Sequence, residues 1–311
     1  MFQSIWDDVK REFQHGNMVT RLIIMNCIVF IVVVLSKLFL NVPGQGMDSY
    51  YSTFVHFFSM SSLIPHFLTH PWGLLTSAFF HESFGHIFWN MLSFYWFGRI
   101  VGDLLGNHRI LPIYILGAIA GNIVYFLVAN FTPYGAVIGT FAYGASAAVM
   151  AMVAVAAYVA PDYIFNVLLI GPVRLKYVAL VTVVIDLAAI ADNRNTGGSF
   201  AHLGGIALGL LFASQLQKGT DLGKPITAFI GAFQNLFRPK PKSFKGFERG
   251  ERAYADSQKQ AKSNRKGRNT EGASSTDAQA RVDEILDKIK QKGYDSLSKE
   301  DKDFLFNASK K

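Results

Sequence analysis

The chain has 311 residues, of which 50% are hydrophobic, 14% aromatic and only 17% charged. The apolar residues fall in long blocks and the charged ones collect toward the C-terminus. That distribution excludes an ordinary soluble globular domain and points to an all-α polytopic membrane protein with a soluble tail. The single cysteine, Cys27, excludes an intramolecular disulfide.

Taken in order, residues 1–19 carry Phe2, Ile5, Trp6, Val9 and Phe13 at helical spacing, with Asp7, Asp8, Lys10 and Arg11 on other faces. This predicts an amphipathic helix lying on the membrane surface rather than a signal peptide. A first span follows at about 20–42, and no small-residue cleavage site follows it, so it is expected to be retained. From Leu38 to Gly98 there is no Lys or Arg. Between Val42 and about Ser77 the chain is aromatic and broken by Pro43, Gly44, Pro65 and Pro71, which predicts short amphipathic pieces half sunk in the outer leaflet. Further spans are expected at about 80–102, 110–131, 138–160, 173–191 and 198–217, six in all. Residues 225–237 are too short to cross and are expected to lie at the interface.

Basic residues flank alternate loops. Lys10, Arg11 and Arg21 precede span 1, Arg99 and Arg109 join spans 2 and 3, Arg174 and Lys176 lie between 4 and 5, and Lys218 and Lys224 follow 6. The other loops hold only Arg194, so both termini are expected in the cytoplasm. The uncleaved first span and basic tail suit a bacterial plasma membrane. The net charge of +8 is local: between Arg238 and Arg268 eleven Lys or Arg face three acids. Following a membrane segment, such a run contacts anionic lipid headgroups rather than nucleic acid. Residues 218–275 therefore read as an interfacial segment and basic linker, flexible over 256–275. Residues 276–311 read as a small helical hairpin: a capping box of Thr276 and Gln279, an apolar face of Val282, Ile285, Leu286 and Ile289, a stop at Gly293, and a second cap from Ser298 and Asp301. The hairpin either docks an unidentified partner or the membrane domain, or has no role.

Spans 2, 4 and 6 run the same way, and each carries a polar group in its outer part: His86 with Asn90, Ser146, and His202. Polar side chains at membrane depth face protein or water, so one shared cavity is expected. His86 and Asn90, four apart, share a helical face. His202 shares its face with Gly205 and Gly209, while Ala147, Ala151 and Ala154 form a small face beside Ser146. Small faces let helices approach closely, which brings His202 within reach of Ser146, as a serine nucleophile requires of its base. Gly135, Gly139 and Gly144 argue that the chain enters the membrane as non-helical backbone. Ser146 then opens a helix of roughly 22 Å, short of the ~30 Å hydrocarbon core, whose N-terminus favours developing negative charge.

These residues carry a resemblance. Gly144-Ala145-Ser146-Ala147, His86-Ile87-Phe88-Trp89-Asn90 and Ala201-His202-Leu203-Gly204-Gly205 with Gly209, with Trp72, Thr76, Phe80 and His81 upstream, resemble the marks of rhomboid intramembrane serine proteases over about residues 20–217. The resemblance implies a six-helix rhomboid-like transmembrane bundle with a short cytosolic helical tail. It implies a Ser–His dyad of Ser146 as nucleophile and His202 as general base, and an oxyanion hole from the Ser146 N–H, His86 and Asn90. The implied substrates are single-pass membrane proteins cut near the outer end of their spans, and no metal or organic cofactor is implied. The chain departs from the family pattern at three places: Ala147 stands where glycine usually follows the serine, Trp72-Gly73 replaces a Trp-Arg pair, and Met150 replaces an aromatic.

The competing readings are weaker. His81-Glu82 followed by His86 is spaced i, i+5, which puts the imidazoles roughly 140° apart on a helix, whereas the zinc-protease pattern needs i, i+4. His56, His66 and His70 lack metal-ligand spacing and read as interfacial. Asp186 on span 5 either orients His202 or fills a cavity, and a dyad favours the second. Asn122 reads as an interhelical hydrogen bond, and Gly205 with Gly209 as internal packing rather than a dimer face. A catalytically impaired rhomboid-like protein that binds or escorts membrane clients is the alternative function. A proton-relay transporter would require inverted repeats that the sequence lacks.

Overall fold

A computed structural model describes residues 2–40, 50–167, 171–237, 276–292 and 297–308. The chain divides into two compact units, Met1–Arg238 and Pro239–Lys311. Pro43, Gly44, the basic run 238–268, the linker 256–275 and Gly293 lie outside the described residues.

The first unit is mostly helical. Helix α1 (Phe2–His15) exposes Trp6 and Phe13, and Arg21 donates to the Gln14 carbonyl at 2.7 Å, tying its end to the next helix. Helix α2 (Met18–Leu40) starts where the Asn17 side chain accepts from the Thr20 N–H and hydroxyl, an N-terminal cap. The segment before the next long helix is built from short pieces: α3 (Tyr50–Phe58), strand β1 (Met60–Ser61), α4 (Ile64–Thr69) and α5 (Gly73–Thr76). It is docked by polar side chains. Thr76 Oγ1 donates to the Phe58 carbonyl and Trp72 Nε1 to the Phe57 carbonyl, both at 2.7 Å. Asn122 donates to the Leu74 carbonyl and the Ser77 hydroxyl, so it fastens this segment rather than a neighbouring span. A Cβ at Gly73 would lie 2.4 Å from the Ser59 carbonyl oxygen, which explains why no larger residue follows Trp72.

Helix α6 (Phe84–Leu105) is capped by the Ser83 hydroxyl, which accepts from the His86 N–H, and ends at Gly106 with φ +91°. Then come α7 (Ile110–Phe131), strand β2 (Phe141–Ala142), α8 (Ser146–Val159), a hairpin of β3 (Ile164–Val167) and β4 (Gly171–Arg174), α9 (Leu175–Ala191), α10 (Thr196–Gln217) and α11 (Lys224–Phe237). Antiparallel β1 and β2 pair Met60 with Ala142 and Ser61 with Phe141. Among the described residues two small two-stranded sheets interrupt the mostly helical chain; the β3–β4 hairpin pairs Ile164 with Arg174 and Val167 with Gly171.

Helix α8 is the centre of the unit. Ala147, Ala148, Val149 and the run Ala151–Ala156 are all buried, and α10, α7, α6 and α9 all pack on it. The closest packing is backbone on backbone. A Cβ at Gly205 would lie 2.1 Å from the Ala147 carbonyl oxygen, and one at Gly209 2.5 Å from that of Ala151. This is the small-residue seam read from the sequence, turned inward rather than toward a second copy. A Cβ at Gly121 would lie 2.4 Å from the Ala147 Cβ, so a facing glycine makes room for the methyl that Ala147 adds.

Among the described residues three helices are long and apolar enough to cross a membrane: Met18–Leu40, Asn107–Phe131 and Thr196–Gln217. The outer helices expose large apolar side chains, including Leu38 and Phe39 on α2 and Leu180, Val181, Val184 and Ile185 on α9. Water does not tolerate apolar surface of this extent, and lipid does. The chain is a membrane protein.

Among the described residues of the second unit are the helices Thr276–Lys292 and Lys299–Ala308. Ile285 and Leu297 are buried, Arg281 stacks 4.9 Å above the Phe304 ring, and the Ser298 hydroxyl accepts from the Asp301 N–H at 3.2 Å. So small a core supplies little stability.

Candidate active site

Ser146 is the first residue of α8, preceded by backbone that is not helical. Gly144 has φ +134°, a region L side chains rarely adopt, and a Cβ there would lie 2.7 Å from His86 Cε1. Glycine at 144 is therefore required twice, by the turn and by the imidazole lying against it. The turn is held from both sides. Gly144 N–H donates to the Ser77 carbonyl at 2.9 Å, and Ala145 N–H to His81 Nε2 at 3.3 Å.

His86 and Asn90 project from the first turns of α6. Asn90 Nδ2 donates one hydrogen to the His86 carbonyl at 2.8 Å; an amide nitrogen carries a second hydrogen for another acceptor. His202 comes from the second turn of α10. Ser146, His86, Asn90 and His202, from three helices, line one cavity of about 470 Å³ whose remaining wall includes Tyr125, Phe141 and Asn195. The four polar residues singled out in the sequence are thus brought together. Gly144 lies against His86, and Ala147, Gly205 and Gly209 form the seam beside the cavity.

Two groups next to the site were not assigned there from sequence. His81 is fully buried, its ring edge-on to that of His86 at 5.0 Å. The neighbouring Glu82 accepts from the Tyr51 hydroxyl at 2.8 Å and from the Tyr143 hydroxyl. It ties α3, the start of α6 and the approach to Ser146 together. The signal in the sequence was the polar pair His81-Glu82 in an apolar stretch. The second group is Asp186 on α9, whose Oδ1 lies 2.7 Å from His202 Nδ1. The expectation of a cavity or interface role for Asp186 is corrected: its carboxylate is on the histidine. Among the described residues no three His, Cys, Asp or Glu are grouped as a metal site.

Outside the spanning helices, burial pushes the His56 and His66 imidazoles below their ordinary range; His70 and His56 reinforce the effect on His66, and Glu82 opposes it on His56. The His56 ring stacks on Phe141 at 3.7 Å, and the His66 ring meets Phe141 edge-on at 5.1 Å. These histidines therefore brace the strand that lines the cavity.

Residues 68–218 match the family model of the Rhomboid domain, and residues 274–311 match that of a family of unknown function (DUF6576). The chain is 31% identical over 159 residues to RHOMBOID-like protein 12, mitochondrial, of Arabidopsis thaliana, covering 47% of this chain and 46% of that one. It is 28% identical over 160 residues to Rhomboid protein 1, mitochondrial, of Saccharomyces cerevisiae, covering 50% of this chain and 44% of that one. The chain thus spans under half the length of these curated relatives. The matched region contains α6 to α10, and with them every residue of the cavity's polar cluster. Residues 68–218 of this chain carry a Rhomboid domain, and the two relatives match over a region of about the same length.

Proposed function

We propose that the chain is an intramembrane serine endopeptidase that cleaves single-pass membrane proteins near the outer end of their transmembrane segments. The observation that carries this is the convergence of Ser146, His202, His86 and Asn90 on one cavity. Ser146 Oγ attacks the scissile carbonyl while His202 takes its proton; His202 then returns that proton to the leaving amine. Negative charge develops on the carbonyl oxygen. The Ser146 N–H, at the start of α8, and the His86 and Asn90 side chains stabilise it. Hydrolysis of the acyl-enzyme by water completes the cycle without metal or organic cofactor.

The proposed setting is a six-helix bundle in which α2, α6, α7, α8, α9 and α10 are the spans. At about 21 Å, α8 is shorter than the hydrocarbon core, and this sinks Ser146 below the outer surface. The strand-and-turn backbone before α8 lines a cavity, where a membrane tolerates it. We propose a bacterial plasma membrane with both termini cytoplasmic, from the retained first span and the basic loops; the two relatives are, by their names, mitochondrial. The run 238–268 would contact anionic headgroups, and the 276–311 tail a separate partner.

Purified protein incubated in detergent with a labelled single-pass substrate is expected to cleave it, and Ser146→Ala and His202→Ala each to abolish cleavage. Undiminished cleavage by either variant overturns the assignment. Failure of a fluorophosphonate probe to label Ser146 would favour a client-binding role instead.

A further inference from the structure

We propose that Asp186 is a positioning residue for His202, so that the site works as Ser146–His202–Asp186 rather than as a dyad; this rests on the reading of Ser146 and His202 as nucleophile and base. Helix α9 is the least enclosed of the helices around α8. Of its 17 residues only Leu175, Asp186 and Ile190 are buried. Asp186 is 6% exposed, and among the described residues its one hydrogen-bond partner is His202, at 2.7 Å between Oδ1 and Nδ1. A carboxylate at membrane depth is costly and is retained where a partner receives it. The single buried acid of α9 is turned to a histidine that lines the same cavity as Ser146.

The consequence for that histidine follows from its two nitrogens. An ionised carboxylate only accepts hydrogen bonds, so Nδ1 carries the hydrogen between them and Nε2 is left as the acceptor. That is the tautomer a base for Ser146 must have. As the Oγ–carbon bond forms, the Ser146 proton moves to Nε2. The ring becomes an imidazolium whose charge lies against Asp186. Asp186 itself gains no proton, and when the carbon–nitrogen bond breaks the proton leaves from Nε2 to the amine. A purely structural clip between α9 and α10 would show the same contact and the same tautomer, but its removal would lower stability and leave kcat unchanged.

The test starts with the intact protein. In full-length wild type, labelled with ¹⁵N-histidine and reconstituted in liposomes, the His202 resonance, assigned by its loss in His202→Gln, is expected to report a protonated Nδ1 and an unprotonated Nε2. An unprotonated Nδ1 overturns the proposal, whether or not any variant folds. Asp186→Asn, whose amide can donate to Nδ1 and favour the wrong tautomer, is expected to lower kcat about 10²- to 10⁴-fold at unchanged KM and unfolding temperature. A fall in kcat of less than tenfold overturns the proposal. The two levels separate. Cleavage that survives Ser146→Ala sinks the protease reading, whereas cleavage abolished in Ser146→Ala but intact in Asp186→Asn sinks the role of Asp186 alone.

Discussion

Replacing Gly205 by alanine isolates the contact that sets the distance between the two halves of the site. The added Cβ would lie 2.1 Å from the Ala147 carbonyl oxygen and 2.9 Å from its carbon. Cβ atoms do not come closer than 3.0 Å, so the helices must part by 3.0 − 2.1, about 0.9 Å. The obstacle is backbone, so no rotamer change relieves it. Ala147 follows Ser146, and Gly205 is one turn from His202, so the displacement passes almost undiminished to the pair. Overpacking of this kind costs ~1–3 kcal/mol, and a misplacement of ~1 Å at a reacting pair can lower the rate ~10²-fold. Gly231→Ala on α11 is the control, because nothing lies within 4 Å of its added Cβ. Steady-state cleavage of a labelled substrate, paired with thermal unfolding in the same detergent, measures both effects. Gly205→Ala is expected to lose roughly two orders of magnitude in kcat and to unfold at lower temperature, while Gly231→Ala keeps both values. Activity within threefold of wild type and an unshifted unfolding temperature would refute the backbone-contact argument.

Three further outcomes are expected. Glu82→Gln and Tyr143→Phe each weaken the tie before Ser146, and since hydrogen bonds to charged groups contribute ~1.5–3 kcal/mol, both should lower the unfolding temperature. The double variant should lose less than the sum, because the two residues share one contact; strict additivity in a double-mutant cycle would count against the shared bond. His56 and His66 are held below their unfolded value of 6.5, so the unfolded chain takes up protons first as pH falls. Their contribution is therefore complete above about pH 6.5 and is lost as pH drops through the folded values. Unfolding temperatures of wild type and His56→Phe/His66→Phe, compared from pH 5 to 8, should converge in slope above neutrality and diverge below it; parallel curves would contradict the sign. Asp162, whose carboxyl Lys176 and then Arg174 hold below the usual range, is exposed. Asp162→Asn should leave the unfolding temperature unchanged, since exposed ion pairs are worth little.

Much of the site was legible in the sequence because it is written in local spacing. His86 and Asn90 share a helix face at i, i+4. Three glycines before Ser146 rule out a long helix upstream, and the positions of Ala147, Ala151, Gly205 and Gly209 are those of two faces that can touch. Each is a property of one segment, fixed by the helical repeat and by side-chain size. What lay beyond reach depended on how segments rotate against one another. Asp186 on one helix and His202 on the next meet only because packing turns the buried edge of α9 inward, and no spacing within either segment encodes that rotation. The same holds for His81 under Ala145 and for Glu82 between Tyr51 and Tyr143, contacts that join residues 31 to 64 positions apart. The β3–β4 hairpin was missed because so short a ladder has no apolar alternation long enough to read. The sequence alone determined a membrane protein with a serine at a helix N-terminus and small-residue faces beside it, since composition and periodicity are local. Tertiary structure decided which polar groups reach the histidine, because a helix's rotation is set by the sum of its contacts and not by its own residues.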